Sequence, residues 1–241
     1  LFLSLALGLF SISPALAYYS RLSRLAADAP EQVPGTLFEG LRLITFLTVP
    51  AGLALFLLAG PAVEVIFNWR GMNDPRLALS VVAAAPLGFA VFPMGLNNLL
   101  IRTFYIRQHV WVPVAVTVAT LLLQGVLYVL LAGPYGLAGV AWAAAIAPAL
   151  QLAVLLGLVA SRERFGLGRL LSLAGRVWLA AGLAGLAVWG LQRALSVPSG
   201  WSWQVGWLAV ALSVFGGLYL LLCLLLRVDG VKALTDRLRR R

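Results

Sequence analysis

The chain has 241 residues, 62% of them hydrophobic and only 11% charged, against about a quarter charged in a soluble domain. That composition excludes a soluble globular fold and points to a chain built for a lipid bilayer. A formal charge of +10 does not make it a nucleic-acid binder, because the cations sit between apolar runs and not on one solvated face.

A helix needs about 20 mainly apolar residues to cross about 30 Å of hydrocarbon. Seven blocks qualify, approximately 1–19, 37–59, 77–101, 111–132, 137–160, 174–194 and 204–226. They are too uniformly apolar for alternating barrel strands, so each is predicted as a helix whose backbone groups pair within the segment. The fold class is all-α, a polytopic transmembrane bundle.

The first block ends in Ala15-Leu16-Ala17, which resembles a secretory cleavage site. No basic residue precedes it and Arg21 and Arg24 follow it directly, so it reads as a transmembrane helix entered partway along. Asp28 to Gly35 breaks the first pair of helices, and Gly60-Pro61 ends the second. Ala62 to Trp69 is too short to span and carries Glu64, which suggests a short helix at the membrane surface. Asn73-Asp74-Pro75 is expected to cap the third helix. Pro86, Pro93 and Gly95 interrupt that helix, with Asn97-Asn98 following, so it is expected to bend and line a cavity. Arg102 to Pro113 is a polar loop, and Gly133-Pro-Tyr-Gly136 is a tight turn that makes the fourth and fifth helices an antiparallel hairpin.

Cytoplasmic loops hold the excess of Lys and Arg. If the first helix ends in the cytoplasm, fifteen cations fall on that side, and Arg70, Arg76 and Arg193 alone fall on the other. The C-terminus is therefore expected inside, with the tail 227–241 against anionic lipid and Trp201, Trp203 and Trp207 flanking an outer turn. Cys223 is the sole cysteine, which excludes an internal disulfide and a thiolate metal cluster.

Chemistry of the enzymatic kind is missing. The eight acidic residues are scattered, His109 stands alone and reads as a solvated loop residue, and no Gly-rich phosphate loop occurs. A transporter is expected rather than an enzyme, with no catalytic residue, no cofactor and no metal ligand set. Arg42, Arg102 and Arg107 are the candidates for contacts with pyrophosphate or anionic lipid, since planar guanidinium groups bind phosphate bidentately. Each also serves as a positive-inside anchor. Tyr105 and Phe104 read as packing or interface residues.

Several stretches carry a family resemblance when taken together. They are Ser23-Arg24-Leu25-Ala26 with Gly40-Leu-Arg-Leu43, Val49-Pro50, Ile66-Phe67 with Arg70-Gly71, Arg102 to Pro113, and Gly133-Pro134 with Gly136 to Gly139. In this order and spacing the chain resembles the MviN/MurJ lipid II flippases, of the multidrug/oligosaccharidyl-lipid/polysaccharide exporter superfamily. The resemblance implies a C-terminal portion. Residues 1–161 would be part of a second lobe, 162–226 two additional helices, and 227–241 a basic cytoplasmic tail.

It also implies a multi-pass protein of the bacterial cytoplasmic membrane that works by alternating access with a preceding lobe. The partners implied are the lipid-linked peptidoglycan precursor, membrane lipids and that missing lobe, with a groove for the polyprenyl tail formed by about 174–226. The sequence departs from the family at Ser20, where Pro is usual, and at His109, where Asp is usual. The sodium ligands of some members fall at Gln124, Tyr128 and Ala144, which do not reproduce that set. The rival readings are a flippase for another polyprenyl-linked oligosaccharide and a non-transporting membrane scaffold.

Overall fold

The structure, a computed structural model, describes residues 2–67, 76–162, 166–194, 201–226 and 228. Among the described residues there are helices and turns and no strand. α1 (Phe2–Leu7) passes through a π-helical turn, Gly8–Ile12, into α2 (Ser13–Asp28). Pro14 has no N–H for the Phe10 carbonyl, and here the Ser13 N–H reaches the Gly8 carbonyl, five residues back. After Ala29 a 3-10 turn, Pro30–Gln32, leads into α3 (Val33–Leu57).

α3 stops just ahead of Gly60-Pro61, since Pro61 cannot donate to the carbonyl four residues behind it. Pro61 instead falls in the first turn of α4 (Ala59–Phe67), where its missing N–H matters least. The surface helix expected at Ala62 to Trp69 is therefore α4, begun earlier. Trp69 and the expected cap Asn73-Asp74-Pro75 lie outside the described residues, as does the tail beyond Val228.

α5 (Arg76–Ile106) runs without a break through Pro86 and Pro93. It packs on α2, α3, α4 and α6 and buries Val91, Leu96, Leu99 and Leu100. It is the central post of the bundle, and its prolines are enclosed by neighbours that tolerate the loss of backbone bonds. Its last turns, at Thr103 and Phe104, border a pocket.

α6 (Trp111–Arg162) has 52 residues and is two arms of a hairpin. Gly136 takes φ +55° and ψ −134°, a backbone conformation that side chains rarely adopt, and the chain reverses around it. Gln151 Nε2 donates to Thr117 Oγ1 at 3.0 Å, and the two residues lie at equal separation on either side of Pro134. The expected turn at Gly133 to Gly136 is thus present. α7 (Leu167–Ala194) and α8 (Trp201–Leu225) are the remaining described helices. Six described helices are long and apolar enough to cross a membrane, and the hairpin in α6 makes them seven crossings, as the sequence implies.

Two cores hold these helices together. Leu22, Leu37, Leu99, Phe104, Val159 and Leu170 belong to the first, which gathers the ends of α2, α5 and α6 with the beginnings of α3 and α7. Arg21, Arg24, Arg42, Arg102, Arg107, Arg162, Arg169 and Arg176 all lie at this end of the bundle, hereafter the basic end. The second core joins α3, α7 and α8 through Val49, Val177, Ala184, Phe215 and Cys223. Between the cores, Phe89 of α5 lies within ring contact of Phe56, Trp142 and Trp178, at centroid distances of 4.7, 5.6 and 6.2 Å.

Where α3 crosses α5 the backbones themselves touch. A Cβ added to Gly52 would lie 2.4 Å from the Gly88 carbonyl oxygen, and one added to Gly88 would lie 2.5 Å from that of Gly52. Small residues at membrane helix crossings allow this approach, and dispersion between the chains replaces the hydrophobic drive that lipid cannot supply.

Candidate functional site

The sequence-nominated arginines reach the same end of the bundle but not the same site. Arg42, half-buried on α3, shares a pocket of about 310 Å³ with Arg169 and Arg176 of α7, over a floor of Phe38, Leu173 and Val228. Arg107 lines a second pocket of about 220 Å³ with Thr103, Phe104, His109, Val159 and Arg162. Arg102 instead holds its guanidinium 5.6 Å from the Tyr19 ring centroid, a cation–π placement on α2. Phe104 is buried in the first core and Tyr105 is 43% exposed, consistent with packing and surface roles.

The loop behind the second pocket has a defined geometry. The Gln108 N–H donates to the Tyr105 carbonyl and the His109 N–H to the Phe104 carbonyl, both at 3.0 Å, with Gln108 at φ +57°. This is a Schellman C-cap for α5 in which glutamine occupies the left-handed position usually given to glycine. It turns the chain at once into α6 and presents the exposed His109 beside Arg107 and Arg162.

Arg162, Arg169 and Arg176 did not stand out in the sequence as site residues. A signal existed for the pair on α7: Arg169, Ser172, Leu173 and Arg176 follow helical i, i+3, i+4, i+7 spacing and so form one stripe. What the sequence lacks is any sign that Arg42, more than a hundred residues earlier, faces that stripe.

The apolar side of the bundle carries two grooves. The larger, about 630 Å³, lies between α1, α3 and α8 and is lined by residues such as Leu9, Phe46, Pro50, Leu212 and Phe215. A second, about 490 Å³, lies between α3 and α7 at Leu53, Leu57, Trp178 and Trp189. The stretch 174–226 lines both grooves, α8 the larger and α7 the smaller, each against α3, while α7 and α8 pack together in the second core.

The interior also holds a polar seam. Asn97 Nδ2 donates to the Pro148 carbonyl at 3.0 Å and to Gln151 Oε1 at 3.3 Å, and Gln151 passes the chain to Thr117. Asn98 donates to Ser11, whose hydroxyl donates in turn to the Gly95 carbonyl. These bonds tie α5 to both arms of α6 and to the π turn. Gln124 and Tyr128 are hydrogen-bonded to each other. Among the described residues no three His, Cys, Asp or Glu side chains cluster as metal ligands.

Long apolar helices with exposed leucines and valines, polar groups paired in the interior and arginines gathered at one end define a polytopic α-helical membrane protein. The family model described as Lipid II flippase MurJ matches residues 1–222, and the chain belongs to that family. The probable lipid II flippase MurJ of Vibrio cholerae serotype O1 (strain ATCC 39315 / El Tor Inaba N16961) is 31% identical over 253 residues, covering 97% of this chain and 46% of that protein. The structure of a lipid II flippase MurJ in an inward closed conformation superposes with a TM-score of 0.72 at 18% identity, covering 95% of this chain and 47% of that one. The chain therefore spans about half the length of the relatives it matches.

Proposed function

We propose that this chain is the C-terminal portion of a lipid II flippase of the bacterial cytoplasmic membrane. It moves the lipid-linked peptidoglycan precursor by alternating access, against a lobe supplied by the rest of the protein. The family match across residues 1–222 carries this reading. The chemistry of the surface agrees with it, since such a substrate joins a long polyprenyl chain to a pyrophosphate-linked head group. The groove between α1, α3 and α8 offers an apolar channel for the chain, and Arg42, Arg102 and Arg107 are contacts for pyrophosphate or anionic lipid. The basic end faces the cytoplasm, by the excess of cations there.

Complementation tests the reading. The full-length gene is expected to restore peptidoglycan synthesis in cells depleted of their lipid II flippase. Failure there, together with restored export of a different polyprenyl-linked polymer, would transfer the assignment to that substrate. Failure on both counts in a protein that is made and inserted would favour a non-transporting scaffold.

A further inference from the structure

The three arginines around Arg42 carry more than positive-inside anchoring requires. They come from two helices, Arg42 from α3 and Arg169 and Arg176 from α7, and converge on one pocket of about 310 Å³. No acidic side chain lines the pocket among the described residues, and none of the three arginines takes part in a described ion pair. The one described ion pair at this end, Arg21 with Glu39 at 3.2 Å, engages the carboxylate one turn before Arg42 with α2, and Glu39 does not line the pocket. Ser172, which also lines the pocket, donates its proton to the Arg169 carbonyl at 3.0 Å.

The geometry points to a binding site for the phosphate of an anionic phospholipid, held between α3 and α7 at the basic end. Three arginines, Arg42 half-buried and Arg169 and Arg176 exposed, line a volume of headgroup size, and planar N–H forks match phosphate oxygens. The floor of Phe38, Leu173 and Val228 is apolar, which suits the glycerol and upper acyl carbons of a lipid better than a fully hydrated ion. The site stands at the end of membrane-crossing helices, where a phospholipid headgroup resides and basic pockets between helices recruit anionic lipid. A bound lipid joins α7 to α3 and so ties the last two helices to the lobe. The proposal rests on the membrane placement of the bundle and not on what the protein transports.

The test uses the full-length protein, purified in detergent, stripped of lipid and titrated with phosphatidylglycerol, phosphatidylcholine or inorganic phosphate. Bound lipid is read by native mass spectrometry and by the shift in thermal midpoint. The expected result is tight, stabilising binding of phosphatidylglycerol. Affinity should fall roughly fivefold for each of Arg42→Gln, Arg169→Gln and Arg176→Gln and about a hundredfold for all three, as about 1 kcal/mol per basic residue implies. Arg193→Gln, at the opposite end, should leave it unchanged. Equal binding of phosphatidylglycerol by the triple variant overturns the site. Competition by inorganic phosphate at equal concentration overturns the lipid and leaves a free-phosphate site. A gain in phosphatidylglycerol binding in Asp229→Asn as large as the loss in the triple variant also overturns it, because the chain's own carboxylate is then the occupant. Failure of the flippase reading appears separately, as wild-type protein that binds the lipid but does not complement.

Discussion

The Tyr219 hydroxyl donates to the Phe46 carbonyl at 2.7 Å, joining α8 to α3. That carbonyl needs a partner because the residue four positions on is Pro50, which has no N–H to complete the helical bond. The two rings also meet, at a centroid distance of 5.4 Å. A proline in one helix is thus answered by a phenol from another, in surroundings where water cannot do so.

Tyr219→Phe is expected to destabilise the protein by about 1 kcal/mol, within the range measured for hydrogen bonds between membrane helices. In a Pro50→Ala background, where a backbone N–H is restored to Phe46, the same change should cost distinctly less. A double-mutant cycle on thermal or steric-trap unfolding reads the difference. Equal costs in both backgrounds would show that Pro50 is not the reason for the bond.

The crossing of α3 over α5 predicts a sharp contrast among glycines. Gly52→Ala and Gly88→Ala each drive a methyl group into the opposing backbone, and overpacking of this kind costs about 1–3 kcal/mol. Gly190→Ala in α7 meets open space and should be neutral or stabilising by a few tenths up to about 1 kcal/mol. Folded yield by fluorescence-detected size exclusion separates the two classes, and comparable behaviour at all three positions would refute the close contact.

Gln108 occupies a left-handed position that costs a non-glycine residue about 1 kcal/mol or more. Gln108→Gly should therefore raise stability by roughly that amount, visible as a higher unfolding midpoint in detergent. A loss of stability would mean that the glutamine side chain contributes more at the loop than its backbone costs.

Topology gives a prediction in intact cells. Cys223 is buried, so it offers little background to labelling. Single cysteines introduced between 197 and 203 should react with an impermeant maleimide added outside, while one at Ser161, at the basic end, should react only after permeabilisation. The reverse pattern would invert the bundle.

Seven apolar blocks fixed the number of crossings because bilayer thickness sets helix length, and Gly133 to Gly136 marked the hairpin because a left-handed glycine can be read locally. The helix limits were less legible. The first rod runs on to Asp28 although its polar last turns fall outside the apolar block, since those turns pack through Leu22 into the first core. The prolines of α5 were an ambiguous signal, because a bend, a cavity wall and an enclosed kink leave the same pattern in sequence, and here neighbouring helices enclose them. The site was the least legible part. Arg42 was nominated for its chemistry, but its companions come from a helix remote in sequence, and tertiary packing alone brings Arg169 and Arg176 to it.

The bond between Phe46 and Tyr219 also has a meaning in time. The two residues are separated by 173 positions, and a ribosome adding about 5–20 residues per second needs roughly ten to thirty-five seconds to make that stretch. Throughout that interval α3 is already synthesised, with a carbonyl that has lost its own helical donor and not yet met its final one. The nascent chain must carry that opening until α8 leaves the insertion machinery. Docking of α8 is therefore the event that completes a helix made long before it.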